Sequence, residues 1–179
     1  MTFVGLLRGI NVGKSIKVPM RELKSLVEAA GGTDVVTYLN SGNVVFKSNL
    51  DIAELQQRIE HDLEQTFGQH IPILLLSEST VIAVRDTIPK EWENSETEQT
   101  YVAYLFPDFD RPSLIDELPV KHHLIEFKYA KSAIIWNIKR ENYNKSQITK
   151  IVSHRSYERM TTRNVNTARK LAELCETRE

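Results

Sequence analysis

The chain is poor in several features, and each scarcity removes a class of explanation. It holds a single cysteine, Cys175, among 179 residues, so an intramolecular disulfide cannot form and a reducing compartment suits it. No apolar run approaches the length of a membrane span, and no basic-plus-apolar leader opens the sequence. A cytoplasmic protein with no membrane partner is therefore expected. HExxH, paired-cysteine zinc spacings and calcium-loop patterns are all missing. His61, His70 and His154 lie apart among polar residues, and His122-His123 precedes a strand, where neighbouring side chains point to opposite faces. No metal and no cofactor is expected. A GxSxG nucleophile elbow is missing as well.

Charge of one sign is also scarce, since the net formal charge is −1, which argues against a general nucleic-acid coat. The distribution says more. Residues 1–50 carry +3, residues 51–100 carry −8, and the two remaining stretches carry +2 each. A solvated acidic helix with an acidic loop accounts for this pattern. So does a basic face set opposite an acidic one, which would orient an anionic ligand.

A chain of this length buries roughly 70% of its unfolded surface and needs no staples. Thr2–Leu7 is an apolar run of strand length. From Pro19, the residues Met20, Leu23, Leu26, Val27 and Ala30 recur at helical spacing until Gly31-Gly32 stops them. Val35–Leu39 and Val44–Lys47 read as strands joined by Asn40-Ser41-Gly42-Asn43, which is turn chemistry. Asp51 with Glu54 resembles a capping pair, followed by a helix face of Ile52, Leu55, Ile59, Leu63 and Phe67. Ile71–Leu76 is a strand, with Pro72 best tolerated on a sheet edge. The order is β-α-β-β-α-β, a split βαβ unit of ferredoxin-like type. Its handedness makes the first two strands parallel and inserts the third between them. Arg8–Lys14 and Asn40–Asn43 should then meet at one sheet edge, beside the start of the first helix.

A helix near Ser79–Arg85 and an acidic stretch at Glu91–Thr100, read as loop, lead to a second set. Strands are expected at Tyr101–Phe106, Leu124–Lys128 and Ala133–Ile138, with a short helix at Pro112–Leu118. Asn144 and Gln147 suggest a capped helix carrying Ile148, Ile151 and Val152, and a last helix covers about 166–176. This reads as an α+β chain of two ferredoxin-like halves with antiparallel sheets, the second incomplete and ending in a helix. The halves are 1–77 and 101–179, joined by a connecting helix and acidic loop at 78–100.

The chemistry concentrates in Leu6–Met20. Two glycines and the cations Arg8, Lys14 and Lys17 lead into a helix through Pro19, a residue suited to a helix start. Free N–H groups and the positive dipole end there favour an anion. Gly9–Ser15 invites comparison with the phosphate loop GxxxxGK[ST]. The spacing is one residue short, and a true phosphate loop needs a parallel sheet. The candidate ligand-binding residues are Arg8, Gly9, Asn11, Gly13, Lys14, Ser41, Gly42, Asn43, Arg163 and Asn164. Arg163 and Asn164 enter because Thr161–Thr167 reads first as a helix cap and also presents a cation beside a helix start. Exposed sheet aromatics, as in RNA-recognition modules, are a further possibility for Phe3, Tyr38, Phe46, Tyr101 and Tyr104, but core packing explains them better.

Three ordered motifs carry a resemblance. Arg8-Gly9-Ile10-Asn11-Val12-Gly13 running into Lys17-Val18-Pro19-Met20, then Thr37–Phe46, then Thr162–Thr167 with Lys170-Leu171, resemble the signatures of an uncharacterised bacterial family, domain-of-unknown-function family 1697. The resemblance spans nearly the whole chain and implies paired ferredoxin-like halves without an accepted activity. Lys14 stands where the family usually has a second glycine, and Val165 where it commonly has Trp. The leading functional expectation is binding of a phosphate-bearing small molecule or nucleic-acid end at the Arg8–Lys14/Asn40–Asn43 edge. An enzyme using the same cleft and a protein-interaction module are the alternatives.

Overall fold

A computed structural model describes residues 1–177. Backbone contacts divide the chain into one unit of Met1–Ser79, joined by residues from Glu173 onward, and a second of Thr80–Ala172. The first unit runs β1 (Thr2–Leu7), α1 (Met20–Ala29), β2 (Thr33–Tyr38), β3 (Asn43–Lys47), α2 (Ile52–Phe67) and β4 (Ile73–Ser77). Its sheet has the order β2-β3-β1-β4, with every neighbouring pair antiparallel. β3 therefore lies between the parallel strands β1 and β2, an order that right-handed crossovers permit.

Helix amphipathicity builds the core of this unit. α1 turns Leu23 and Val27 inward, and α2 turns Leu55, Ile59 and Leu63 inward. They pack on Phe3, Leu7, Val44, Phe46, Ile73 and Leu75 of the sheet. Each fully buried side chain of this size contributes about 1.5–3 kcal/mol. Phe3 and Phe46 face each other across the β1–β3 register with ring centroids 5.9 Å apart. Asp51 caps α2 by accepting from the N–H of Ala53 at 2.8 Å, whereas Glu54 pairs with Arg58 one turn on. Glu60 Oε1 accepts the N–H of Ile73 at 3.0 Å and ties α2 to the start of β4. Pro72 sits just outside this edge strand, where its missing N–H costs no ladder bond.

The second unit runs α3 (Glu78–Thr87, its first two residues belonging to the first unit), β5 (Glu98–Leu105), α4 (Leu114–Glu117), β6 (Glu126–Ala130), β7 (Ala133–Lys139) and β8 (Met160–Asn164), leading into α5 (Val165–Glu176). Its antiparallel sheet has the order β6-β7-β5-β8, which repeats the first unit's order strand for strand. The second half is therefore a complete four-stranded copy, not an incomplete one, although the chain still ends in a helix. β8 escapes the sequence reading because Met160-Thr161-Thr162-Arg163-Asn164 looks like cap chemistry. On this edge strand the threonines instead serve as β-formers. β5 likewise begins at Glu98, inside the stretch read as loop. The helix expected to follow Gln147 is a six-residue 3-10 segment, Ile148–Ser153, with no side-chain cap. Its β-branched run of Ile148, Thr149, Ile151 and Val152 crowds an α-helix.

A buried polar cluster lies on one face of this sheet. Thr100 and Asn137 are cross-strand partners. The Asn137 amide donates to Glu98 Oε2 at 2.7 Å and to Thr100 Oγ1 at 2.9 Å. Lys139 donates to the same carboxylate at 3.3 Å. Burial alone would push the Glu98 carboxyl up, but the hydrogen bonds from Asn137 and Lys139 and the lysine charge outweigh it, so its pKa lies below the ordinary 4.5.

Two expectations follow from this packing. Gly42 has φ +78° and no room for a side chain, since a Cβ there would lie 2.6 Å from Leu7 Cβ. Gly68, the C-cap of α2, has φ +73° and open space. Gly68→Ala should lose about 1–2 kcal/mol for the left-handed backbone alone, and Gly42→Ala about 2–4 kcal/mol because overpacking adds to it. Urea denaturation of both variants checks the difference. For Glu98, the unfolded chain takes up its proton first as pH falls. The stabilisation is thus present above the ordinary pKa of 4.5 and disappears as pH drops through the lower folded value. Asp108 and Glu117 shift in the same direction. Glu98→Gln should therefore make the acid limb of a stability–pH curve shallower without abolishing it.

Candidate functional site

β1 ends, β4 begins, β2 ends and β3 begins at one edge of the first sheet, and the strand order alone brings two loops together there. Leu7 N–H donates to Gly42 O at 2.8 Å, and Arg8 N–H donates to Pro72 O at 3.1 Å. Gly42 is buried against Leu7 and Ile10, so the hairpin turn rests on the root of the Arg8–Val18 loop.

Asn11 closes that loop. Its backbone is left-handed, with φ +56°, a conformation asparagine tolerates better than most residues. Its Oδ1 accepts the N–H of Val18 at 2.8 Å, and its Nδ2 donates to Val18 O at 2.9 Å and Asn40 O at 2.7 Å. Both amide hydrogens are thus in use, and the side chain fastens the loop ends to each other and to the hairpin. Asn11 N–H also donates to Ile16 O at 2.9 Å. At the tip, Val12 N–H donates to Ser15 Oγ at 2.8 Å, and Lys17 Nζ reaches Gly13 O at 3.4 Å. Asn43 is fully buried and donates to Tyr38 O at 2.8 Å and Ser41 Oγ at 2.9 Å. It shapes the turn from inside.

Of the first-unit candidates, Gly9, Gly13, Lys14 and Ser41 are exposed and Arg8 is half-buried, whereas Gly42 and Asn43 are buried. Lys17 joins the exposed group. α1 begins after Pro19 with no side chain capping its N-terminus. The N–H groups of Glu22 and Leu23 donate to Pro19 O at 3.0 Å, which leaves those of Met20 and Arg21 without intrahelical partners. The edge also shows apolar side chains, since Val12 is 71% and Leu39 54% exposed. Leu39 holds φ +57°, which costs a branched, non-glycine residue about 1–2 kcal/mol. His70 was not anticipated. The bond from Arg8 N–H to Pro72 O fixes the start of β4 at this edge, and exposed His70 lies two residues before Pro72 in the chain.

The C-terminal candidates lie in the second unit. Arg163 stands on β8 opposite Val102 and is only 8% exposed. Its Nη1 donates to Thr161 Oγ1 at 2.7 Å and Thr162 O at 3.0 Å. Burial lowers its pKa to about 10, partly opposed by the nearby Tyr104, so it remains a cation at neutral pH. Asn164 Oδ1 accepts the N–H of Thr167 at 2.9 Å, which is the helix-cap role, at the start of α5.

Among the described residues, no helix is long and apolar enough to cross a membrane, and no cluster of three or more His, Cys, Asp or Glu is placed to hold a metal ion. No curated protein matches the chain. Among solved structures, a conserved bacterial protein, SP0830 from Streptococcus pneumoniae, is similar. The identity is 25%, the match covers 97% of this chain and 98% of that one, and the TM-score is 0.83. A family model described as a protein of unknown function, DUF1697, matches residues 1–136. That span includes both interlocked loops, and the chain belongs to this family.

Proposed function

We propose that the chain binds a phosphate-bearing ligand at the first-unit edge, with Arg8, Lys14 and Lys17 supplying charge and Ser41 a hydroxyl. The start of α1 adds backbone donors. Asn11 is the observation that carries this reading. Its three side-chain hydrogen bonds hold a loop in place whose remaining polar side chains are the three cations and Ser15, the last engaged with the Val12 N–H. A loop needed only to join β1 to α1 requires neither the left-handed backbone at Asn11 nor the strained Leu39 beside it. Charge-assisted hydrogen bonds to phosphate are worth roughly 1.5–3 kcal/mol each, enough for a few of them to hold a small anion.

Binding is favoured over catalysis by composition. Segments 8–20 and 37–46 contain no Asp, Glu, His or Cys, so a general base would have to come from outside them, from Glu22 in the first turn of α1 or from His70. A protein-interaction reading is favoured by one feature, the exposed Val12 and Leu39 at the same edge.

The test uses thermal shift with inorganic pyrophosphate and a 5′-phosphorylated oligonucleotide as probes. Binding should raise the melting temperature by mass action. The double variant Lys14→Ala/Lys17→Ala should lose that rise while its ligand-free melting temperature stays unchanged. With the oligonucleotide, Lys14→Ala should also lower the salt slope by about one counterion. Asn11→Ala should behave in the opposite way. It strands the Val18 N–H and two carbonyls, so the ligand-free protein should lose about 1–3 kcal/mol. No shift with either probe in the unmodified protein would leave the interaction reading in its place.

A further inference from the structure

The two sheets share a strand order but differ in what covers them. α2, sixteen residues long, lies over the first sheet. At the corresponding place in the second unit, between β7 and β8, the chain makes only 3-10 turns, at Arg140–Asn142, Ile148–Ser153 and Tyr157–Arg159. Short turns of this kind bury less than a sixteen-residue amphipathic helix, and a cleft of about 190 Å³ remains between this segment and the sheet.

The cleft is aromatic. Its floor is formed by Tyr101 and Trp136, cross-strand partners whose ring centroids are 6.0 Å apart. Tyr143, Ile151, Val152 and Tyr157 line its walls, and Val152 is 56% exposed although it faces an apolar space. Neither the Tyr101 nor the Tyr143 hydroxyl has a hydrogen-bond partner among the described residues. Drug-sized ligand pockets run to about 300–1,000 Å³, so this one takes a single planar ring system rather than a helix or an extended peptide.

The covering segment is also basic. Residues 139–159 hold six Lys/Arg against two Glu. Most of these cations are engaged. Arg155 pairs with Glu117 at 3.0 Å, Arg159 with Asp108 at 2.9 Å and Lys139 with Glu98 at 3.3 Å, and Arg140 donates to Ser95 O at 2.6 Å. Lys145 and Lys150 have no side-chain partner among the described residues; Lys150 lies between the cleft-lining Thr149 and Ile151, and Lys145 lies two residues past Tyr143 on the same segment.

We propose that this cleft binds a single nucleotide, with the base against Tyr101 and Trp136 and the phosphate on Lys145 and Lys150. Every base offers a face to an aromatic floor, tyrosine hydroxyls serve its polar edge, and flexible lysines serve its phosphate as point charges. This site is separate in residues from the Arg8 edge and does not depend on it.

The test is a fluorescence titration with the four ribonucleoside 5′-monophosphates. The chain has two tryptophans, and Trp92→Phe leaves Trp136 as the reporter. Saturable quenching at millimolar nucleotide is expected. Tyr143→Ala should weaken it several-fold, through the loss of a wall ring and of a hydroxyl at the base's polar edge. Lys150→Ala should weaken the nucleotide several-fold while leaving adenosine unchanged, and Lys14→Ala should change nothing. If Trp92→Phe does not fold, calorimetry on the unmodified protein and the other variants reads the same differences. The proposal is overturned by the absence of saturable binding, by adenosine or indole binding as tightly as the nucleotide, or by sensitivity to Lys14→Ala without sensitivity to Tyr143→Ala.

Discussion

Everything at the candidate edge depends on β3 being inserted between β1 and β2. That insertion brings Gly42 O within 2.8 Å of Leu7 N–H and Asn40 O within 2.7 Å of the Asn11 side chain. Right-handed crossovers permit this order, and Gly42 allows the close approach because a Cβ would collide with Leu7 and Ile10. Two turns about 30 residues apart in sequence thereby become one surface. On it Lys14 and Lys17 are exposed and Arg8 is half-buried, while the amides of Asn11 and Asn43 are occupied in holding the backbone.

The second unit applies the same strand order to a different end. In the first sheet, apolar residues meet two amphipathic helices and the core closes. In the second, Ala103, Leu105, Ile134 and Ile138 form a comparable core with Leu114, Leu118, Ile148 and Ile151, but the cover is a short helix and 3-10 turns. Its other sheet face carries the polar set of Glu98, Thr100 and Asn137. A buried cluster of this kind is tolerated because the amide of Asn137 and the ammonium of Lys139 satisfy the carboxylate together. A repeated topology therefore does not imply repeated chemistry.

Much of the fold was legible because hydrophobic period and turn residues agreed. Leu55, Ile59 and Leu63 mark α2, and Asn40–Asn43 marks the hairpin. What escaped was written in polar residues. Thr161, Thr162 and Arg163 form a strand whose alternation is hidden, since Arg163 is buried although its charge suggests a surface. Ile148 to Val152 carries helix-like spacing in residues that resist the α conformation, and tertiary packing settled it as 3-10 turns. At the candidate edge, sequence pattern located the loops but could not separate residues that build them from residues that face outward. Asn11 and Ser41 look alike as hydrogen-bonding candidates. Only the geometry assigns all three strong bonds of the Asn11 amide to the backbone of Val18 and Asn40.

That division has a wider bearing on how a polar motif should be understood. A buried donor or acceptor left unpaired costs about 1–3 kcal/mol, so a chain that bends back on itself twice within a few residues must place amides where the ladder stops. Asn11 and Asn43 fill that need, as Asn164 does at the start of α5 by accepting from Thr167. Lysine is a poor candidate for such work because its long, strongly hydrated side chain gains little from fixing a turn. Lys14 stands in a segment whose shape the asparagine already secures, with its side chain exposed. The family likeness in Arg8–Met20 thus combines two demands on one stretch. The glycines and the asparagine answer to the backbone, whereas exposed Lys14 has no part in shaping the turn.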